Sequence, residues 1–500
     1  MPDVGLLTPG ADLGRGSPAA VTDDVAVLRA MLAAEAAWVR AQVRCGVVPA
    51  AVGSVVDRAV VALAGDDGAA LALATEVARD AAAGGNPVIP LLARLRTAVE
   101  AGCGTAVAAG TPVADVVGAV HAGLTSQDVL DTALVLVLRD AGRAADAGLA
   151  RATAAAAGLA RRYRDLPALG RTLTQPAVPI TLGARCAGWL QSLAEARARL
   201  DDATRALPLA FGGAAGTLAP PSVGPVETTS TSEAVLRPVD AAPSVEPVET
   251  TSTSEAALRP VGATPSVEPV ETTSTSEAAL RPVDAWAAEL GLPVTAGPWH
   301  VTRFPVVRAA AALAEACAAL GTVAVDVLVG VRAEVGELRE PAAPGRGASS
   351  AMAHKRNPVL SVLVRRSALA APALAAQVLA SAGQAVDERP DGAWHAEWPA
   401  LQQLARHAVA ASHAGAELLE GLEVDEAAVA RNLREHLGAG PGARDPGDDE
   451  EAGGARAGAD DVVDTGAAAV VVDRVLARYA GTGPGPAHRA PAAVPEGGDR

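Results

Sequence analysis

The 500-residue chain carries a formal net charge of −16, is half hydrophobic and is only 2 % aromatic. So acidic a balance disfavours nucleic acid as a partner, and a core with so few rings has to be built from Ala, Val and Leu, which favours long helices. The length allows two to four domains with ample buried volume. The N-terminus does not show the basic-then-apolar order of a signal peptide, and Arg, Asp or Glu interrupts the apolar runs, so neither a leader nor a membrane segment is expected. Cys45, Cys103, Cys186 and Cys317 lie too far apart for metal-ligand or redox spacing, and a reducing, cytoplasmic setting is the expectation.

Apolar residues recur at helical spacing from Asp23 to about Val47, through Val25, Leu28, Met31, Leu32, Ala36, Val39 and Val43. A second Ala-rich helix is predicted over 54–82, broken by Gly84-Gly85-Asn86-Pro87. The stretch from His121 to Thr132 opens a long helix that runs to about Tyr163. Thr125 and Asp128 have capping-box spacing there, which accounts for those two but not for His121 or Gln127. Gly170-Arg171-Thr172-Leu173-Thr174-Gln175 follows, then a helix over 180–206 and a Gly-rich turn from Phe211 to Thr217.

Three nearly identical 22-residue units begin at Pro221, Pro243 and Pro265. They are rich in Pro, Thr and Ser with little to bury, which reads as a disordered, recently duplicated insertion at 221–285. Helical pattern resumes at Trp286, and Pro298-Trp299-His300 leads through Arg303 into a helix predicted from Pro305 to about Glu340. Another helix is expected from Pro358 to about Val386, ending at the patch that contains Arg389, Trp394, His395 and Trp398. Trp394 and Trp398, four apart, share a helix face and suit core packing. Residues 438–459 are acidic and Gly-rich, and a last helix is predicted from Asp464 to Tyr479.

Lys355 is the single lysine of the chain, within Gly347-Ala348-Ser349-Ser350-Ala351-Met352-Ala353-His354-Lys355-Arg356-Asn357-Pro358. Every other strong cation is arginine, so this position is read as one that needs a compact ammonium rather than a planar guanidinium. Small residues, two hydroxyls and three adjacent basic side chains suit an anion-holding loop. Asn357 and Pro358 are expected to cap and start the following helix.

That loop resembles the signature loop of the fumarase/aspartase superfamily, with Ala348 and Ala353 in place of its glycine and proline. The stretch from His121 is similar to the superfamily's second conserved region. Where the Gly-Arg-Thr-His pattern of fumarases and of argininosuccinate and adenylosuccinate lyases has a histidine used in acid/base chemistry, this chain has Leu173. Leu173, His354-Lys355-Arg356-Asn357-Pro358, Trp299-His300 and the patch Trp394 to Trp398 together most resemble the 3-carboxy-cis,cis-muconate cycloisomerase branch.

The resemblance implies an all-α, fumarase/aspartase-like fold of three helical domains around a central long-helix bundle, at residues 1–110, 111–390 and 391–500, the last shortened. It implies a homotetramer whose sites combine residues of several subunits, and a small polycarboxylate substrate with no cofactor or metal. The reaction implied is closure of 3-carboxy-cis,cis-muconate to 4-carboxymuconolactone in protocatechuate degradation; the alternatives are another superfamily lyase, such as adenylosuccinate lyase, or a non-catalytic structural relative. Ser349 matches the proton-transfer serine, Lys355 and His121 complete the catalytic set, and His121 competes with Ser349 as acid. Thr125, Ser126, Gln127, Arg171, Gln175, His300, Arg303, Asn357 and Arg389 are the candidate substrate holders.

Overall fold

The computed structural model describes residues 9–10, 17–217, 275–352, 354–438 and 463–481, so most of the repeat insertion and the acidic 439–462 segment lie outside the described residues. A short 3-10 turn at Pro18–Thr22 leads into α1 (Asp24–Arg44), capped by the Asp23 carboxylate on the Ala26 N–H. The helix expected over 54–82 is two helices, α2 (Ala50–Ala64) and α3 (Asp67–Asp80), because Asp66 accepts the Ala69 N–H and starts a new one. Then come α4 (Val88–Gly102), α5 (Gly104–Ala108) and α6 (Val113–Gly118).

The central helix α7 (Ser126–Arg162) has 37 residues and is about 55 Å long at about 1.5 Å per residue. A hairpin of β1 (Pro167–Thr172) and β2 (Gln175–Thr181) follows it and turns into α8 (Leu182–Arg205). This hairpin is absent from the sequence reading; Leu173 and Thr174 take φ of 48° and 68°, the two-residue turn that suits a twisted ribbon. Next are α9 (Thr275–Leu290) and α10 (Phe304–Gly330). The insertion expected to reach residue 285 therefore gives way to helix at 275.

A two-residue strand β3 (Leu338–Arg339), α11 (Val359–Ala382), α12 (Gly392–Glu420), β4 (Glu423–Val424), α13 (Glu426–Gly438) and α14 (Ala468–Tyr479) complete the described elements. β3 pairs antiparallel with β4. The all-α class holds, with only these short ribbons added. α12 packs along α7 and α11, so the boundary expected at residue 390 falls inside the bundle, and what lies outside it at this end is α13 and α14.

Five helices make the bundle: α7, α8, α10, α11 and α12. Contacts between α7 and α12 advance together, from Asp131 with Trp394 to Gly148 with Ser412, as do those between α10 and α12, from Arg303 with Glu397 to Leu320 with Gly415. α7, α10 and α12 are thus parallel, while α8 and α11 return between them. A core of Ala and Val packs only if backbones approach closely. At Gly148 an added Cβ would lie 2.6 Å from the Ser412 carbonyl carbon.

α10 and α11 are long and apolar enough, by length and composition alone, to cross a membrane. α10 instead fills the middle of the bundle, whereas α11 presents exposed Val362, Leu369 and Leu379 outward. Gly148→Ala gives a sign test of the close approach. In an open helix this change stabilises by up to about 1 kcal/mol; here overpacking against backbone should cost about 1–3 kcal/mol in denaturant unfolding.

Candidate active site at two ends of one bundle

The N-termini of α7, α10 and α12 meet at one end, where their dipoles favour negative charge. They are locked by ions. Arg303 has no exposed side-chain surface; it donates to Asp131 through Nη1 and Nη2, at 2.6 and 3.0 Å, and to Glu397 through Nη2 at 2.7 Å and Nε at 3.0 and 3.3 Å. Asp131 also accepts from Trp394 Nε1 at 2.9 Å and Gln127 Nε2 at 3.1 Å. Burial opposes charge on the guanidinium, but Asp131 and Glu397 outweigh it and hold the Arg303 pKa above its ordinary range. Two carboxylates face one cation, and burial pushes the Glu397 carboxyl up.

Asp128, fully buried, is the second hub. It accepts the Thr125 N–H at 2.8 Å and the N–H groups of Gly212 and Gly213 at 2.8 and 3.2 Å. His300 Nε2 lies 2.7 Å from Asp128 Oδ1 but out of line for a directed hydrogen bond. Arg389 reaches in from the turn before α12 and donates through Nη2 to the carbonyls of Gly213 and Ala214, leaving Nε and Nη1 without partners among the described residues. The turn at His121 closes this end. His121 has a φ of 66°, and its Nδ1 is 2.6 Å from Glu35 Oε1 on α1. Five of the six tryptophans, Trp38, Trp286, Trp299, Trp394 and Trp398, stand in or beside this end; Trp394 and Trp398 pack edge to face at 4.7 Å, as their spacing predicted.

The lysine loop is at the opposite end. It leaves the C-terminus of α10 and returns into α11, whose 24 residues span about 36 Å at about 1.5 Å per residue. Its base is pinned by Asn357, whose backbone N–H and side-chain Nδ2 donate to the Gly347 carbonyl at 2.9 and 3.3 Å. Gly347 has a φ of 70°, and a Cβ there would lie 2.6 Å from the Asn357 carbonyl oxygen, so only glycine closes this loop without strain. Ser349 is half-buried and its Oγ accepts the Met352 N–H at 3.1 Å; Lys355 is exposed. The hairpin is at the same end, tied by Arg171 to Glu337 just after α10, with Leu173 96 % exposed at the tip and Gln175 exposed near it.

The expected residues therefore divide. His121, Thr125, Ser126 and Arg389 gather at one end; Ser349, Lys355, Asn357, Arg171 and Gln175 belong to the other. Four expected substrate holders have partners within the chain. Arg303 and Gln127 are consumed by the buried ion cluster, and His300 is sealed against Asp128. Arg171 makes a two-pronged bond to Glu337, at 2.7 and 3.1 Å. Asn357 closes the loop rather than capping the helix. α11 starts at Val359, and its N-terminus is capped by Glu340, which accepts the Leu360 and Ser361 N–H groups at 3.0 and 2.7 Å. Sequence reading missed Glu35, Asp131, Glu397, Glu337 and Glu340. For Glu35 and Asp131 the available signal was a lone carboxylate inside an apolar helix face.

A family model described as lyase matches residues 34–267. A nitrosuccinate lyase of Streptomyces davaonensis is 42 % identical over 86 % of this chain and 77 % of its own length. A 3-carboxy-cis,cis-muconate cycloisomerase of Bradyrhizobium diazoefficiens is 37 % identical over 83 % of this chain and 76 % of its own. The chain belongs to the fumarase/aspartase superfamily of lyases. The fold agrees: the crystal structure of a 3-carboxy-cis,cis-muconate lactonizing enzyme from Pseudomonas putida superposes with a TM-score of 0.66 at 31 % identity, covering 87 % of this chain and 81 % of that one.

Two measurements check the structural roles of Arg303 and Glu337. Arg303→Met should lower unfolding free energy by about 3–5 kcal/mol, because it strands two buried carboxylates; an undiminished stability with activity alone lost would return Arg303 to the substrate. Burial alone would raise the pKa of Glu337, but its bonds from Arg171 and Asn432 outweigh that and hold it below the usual carboxylate range. Its stabilisation is present above the unfolded-state pKa of about 4.3 and is lost as pH falls through the lower folded value. The stability difference between wild type and Glu337→Gln should therefore shrink between pH 5 and pH 3 in denaturant titrations, and a constant difference would refute the assignment.

Proposed function

We propose that this chain is a cofactor-independent enzyme of small polycarboxylates, working through one proton transfer at a carbon next to a carboxylate. Each site would combine the His121 end of one subunit with the Ser349 loop and Leu173 hairpin of neighbours in a homotetramer. The separation of the two groups, about 36 Å along α11, supports this, since one chain cannot close it on one small molecule. The exposed Val362, Leu369 and Leu379 on α11 give neighbours an apolar face to cover. Free, mostly buried cysteines suit a reducing cytoplasm.

Leu173 carries the choice of reaction. Expelling a basic leaving group such as an amine or hydroxide takes a general acid as well as a base. Where the superfamily's proton-transfer histidine stands, this chain offers a hydrocarbon. Ring closure by the substrate's own carboxylate delivers one proton to carbon and expels nothing. That favours conversion of 3-carboxy-cis,cis-muconate to 4-carboxymuconolactone, with proximity supplied by the intramolecular attack. Lys355, Thr125, Ser126 and Arg389 would hold the carboxylates and the charge growing on them, and Ser349 or His121 would deliver the proton.

A second reading has the same economy. A nitro dicarboxylate can lose a proton from carbon and release nitrite, a weakly basic group needing no acid, and the relative at 42 % identity is named for nitrosuccinate. One preparation decides between them. Wild type should remove the ultraviolet absorption of the conjugated muconate, and Lys355→Arg should lose at least about a hundredfold in kcat/KM (~2.7 kcal/mol). Nitrite release from nitrosuccinate without diene loss would move the assignment to the second reading, and neither activity from a folded oligomer would contradict both.

A further inference from the structure

We propose that Glu35 is a positioning residue for the reaction: it holds a proton on His121 Nδ1 and so presents Nε2 of that imidazole to the substrate as the proton carrier. The inference rests on the one-proton chemistry proposed above and deepens it. Three side chains of α1 grip the turn that carries His121. Glu35 Oε1 is 2.6 Å from His121 Nδ1, Trp38 Nε1 donates to the Ala122 carbonyl at 3.0 Å, and Gln42 Nε2 donates to the Ala119 carbonyl at 2.9 Å. Positions 35, 38 and 42 share one helix face, so a single helix fixes the ring and the backbone on both sides of it.

The turn needs that grip. His121 holds a φ of 66° without being glycine, a conformation that persists only when neighbours over-determine it. Glu35 is fully buried and its Oε2 has no hydrogen-bond partner among the described residues. A carboxylate kept there with one acceptor unused has a single polar task in view, the imidazole. The acceptor beside Nδ1 selects the tautomer with the proton on that nitrogen. Nε2, with no hydrogen bond among the described residues, is left as the ring nitrogen that can gain or lose a proton, on a side chain that is 13 % exposed. Thr125, Ser126 and the free Arg389 nitrogens lie at the same end, the donors expected around a carboxylate.

Two readouts on the full-length protein test this. Nitrogen-15 spectra of selectively histidine-labelled protein, with His121 assigned by its loss in His121→Gln, should show a proton on Nδ1. A His121 carrying its proton on Nε2 alone overturns the proposal, and this result requires no substrate. On whichever substrate is turned over, Glu35→Gln should lower kcat by about 10²–10⁴-fold with KM changed less than about threefold, and Glu35→Gln with His121→Gln should be no slower than His121→Gln alone. Unchanged kcat in a folded Glu35→Gln protein, or losses that multiply in the double variant, would assign Glu35 to stability only. If Glu35→Gln fails to fold, or if neither substrate is turned over, the nitrogen spectra of wild type decide; the latter outcome counts against the proposed function and leaves this test standing.

Discussion

Arg303 between Asp131 and Glu397 is the contact on which the rest of the structure depends. One guanidinium, at the N-cap of α10, joins the second turns of α7 and α12 and holds the N-terminal ends of the three longest bundle helices together. A buried ion pair is seldom a net source of stability, but it is costly to break and so enforces one register. Because the three helices start together and run parallel, their positive ends converge on one small region, and Asp128 draws the His121 turn, the Gly212-Gly213 turn and His300 onto it. The residues most charged in sequence are here scaffolding, and the anion-facing groups are the ones the scaffold leaves over.

The same parallel arrangement carries the Lys355 loop and the Leu173 hairpin away from those groups. Both follow the C-termini of bundle helices, α10 and α7, so the helix lengths that build the core also set the two halves apart. Leu173 at 96 % exposure is hard to explain on an isolated subunit, since an apolar side chain at a hairpin tip gains nothing from water. Placed in a neighbour's cleft, it would fill space beside a substrate that needs no second acid. Exposed lysine, exposed leucine and an arginine with two nitrogens unpartnered among the described residues are what the proposed shared site would use.

Much of this was legible in the sequence, and the failures have physical causes. Long amphipathic or apolar runs predicted α1, α7, α8 and α11 within a few residues, because helical periodicity is local. The signature loop and the His121 turn were recognisable as motifs, with Lys355 marked out by composition. The hairpin was not, since Pro176 and Pro179 in its second strand read as loop, and its turn depends on Leu173 and Thr174 accepting positive φ. α10 was extended to Glu340 because its apolar pattern fades without a break; in the fold, Glu337 and Glu340 turn aside to hold Arg171 and to cap α11. The intrachain partners of Arg303, Gln127 and His300 were hidden for a different reason. A buried arginine and a ligand-holding arginine look alike until Asp131 and Glu397, 172 and 94 positions away, are seen to occupy it.

The central claim is that a working site takes its His121 end and its Ser349 end from different copies of the chain. Subunit complementation tests it most directly: inactive His121→Gln and inactive Ser349→Ala oligomers are dissociated together, reassociated, and assayed for the activity of wild type. Recovery of a substantial fraction of wild-type turnover, absent when either variant is reassociated alone, is the predicted result, because mixed oligomers then contain sites built from two intact halves. Mixed oligomers that form and remain as inactive as their parents would contradict the account.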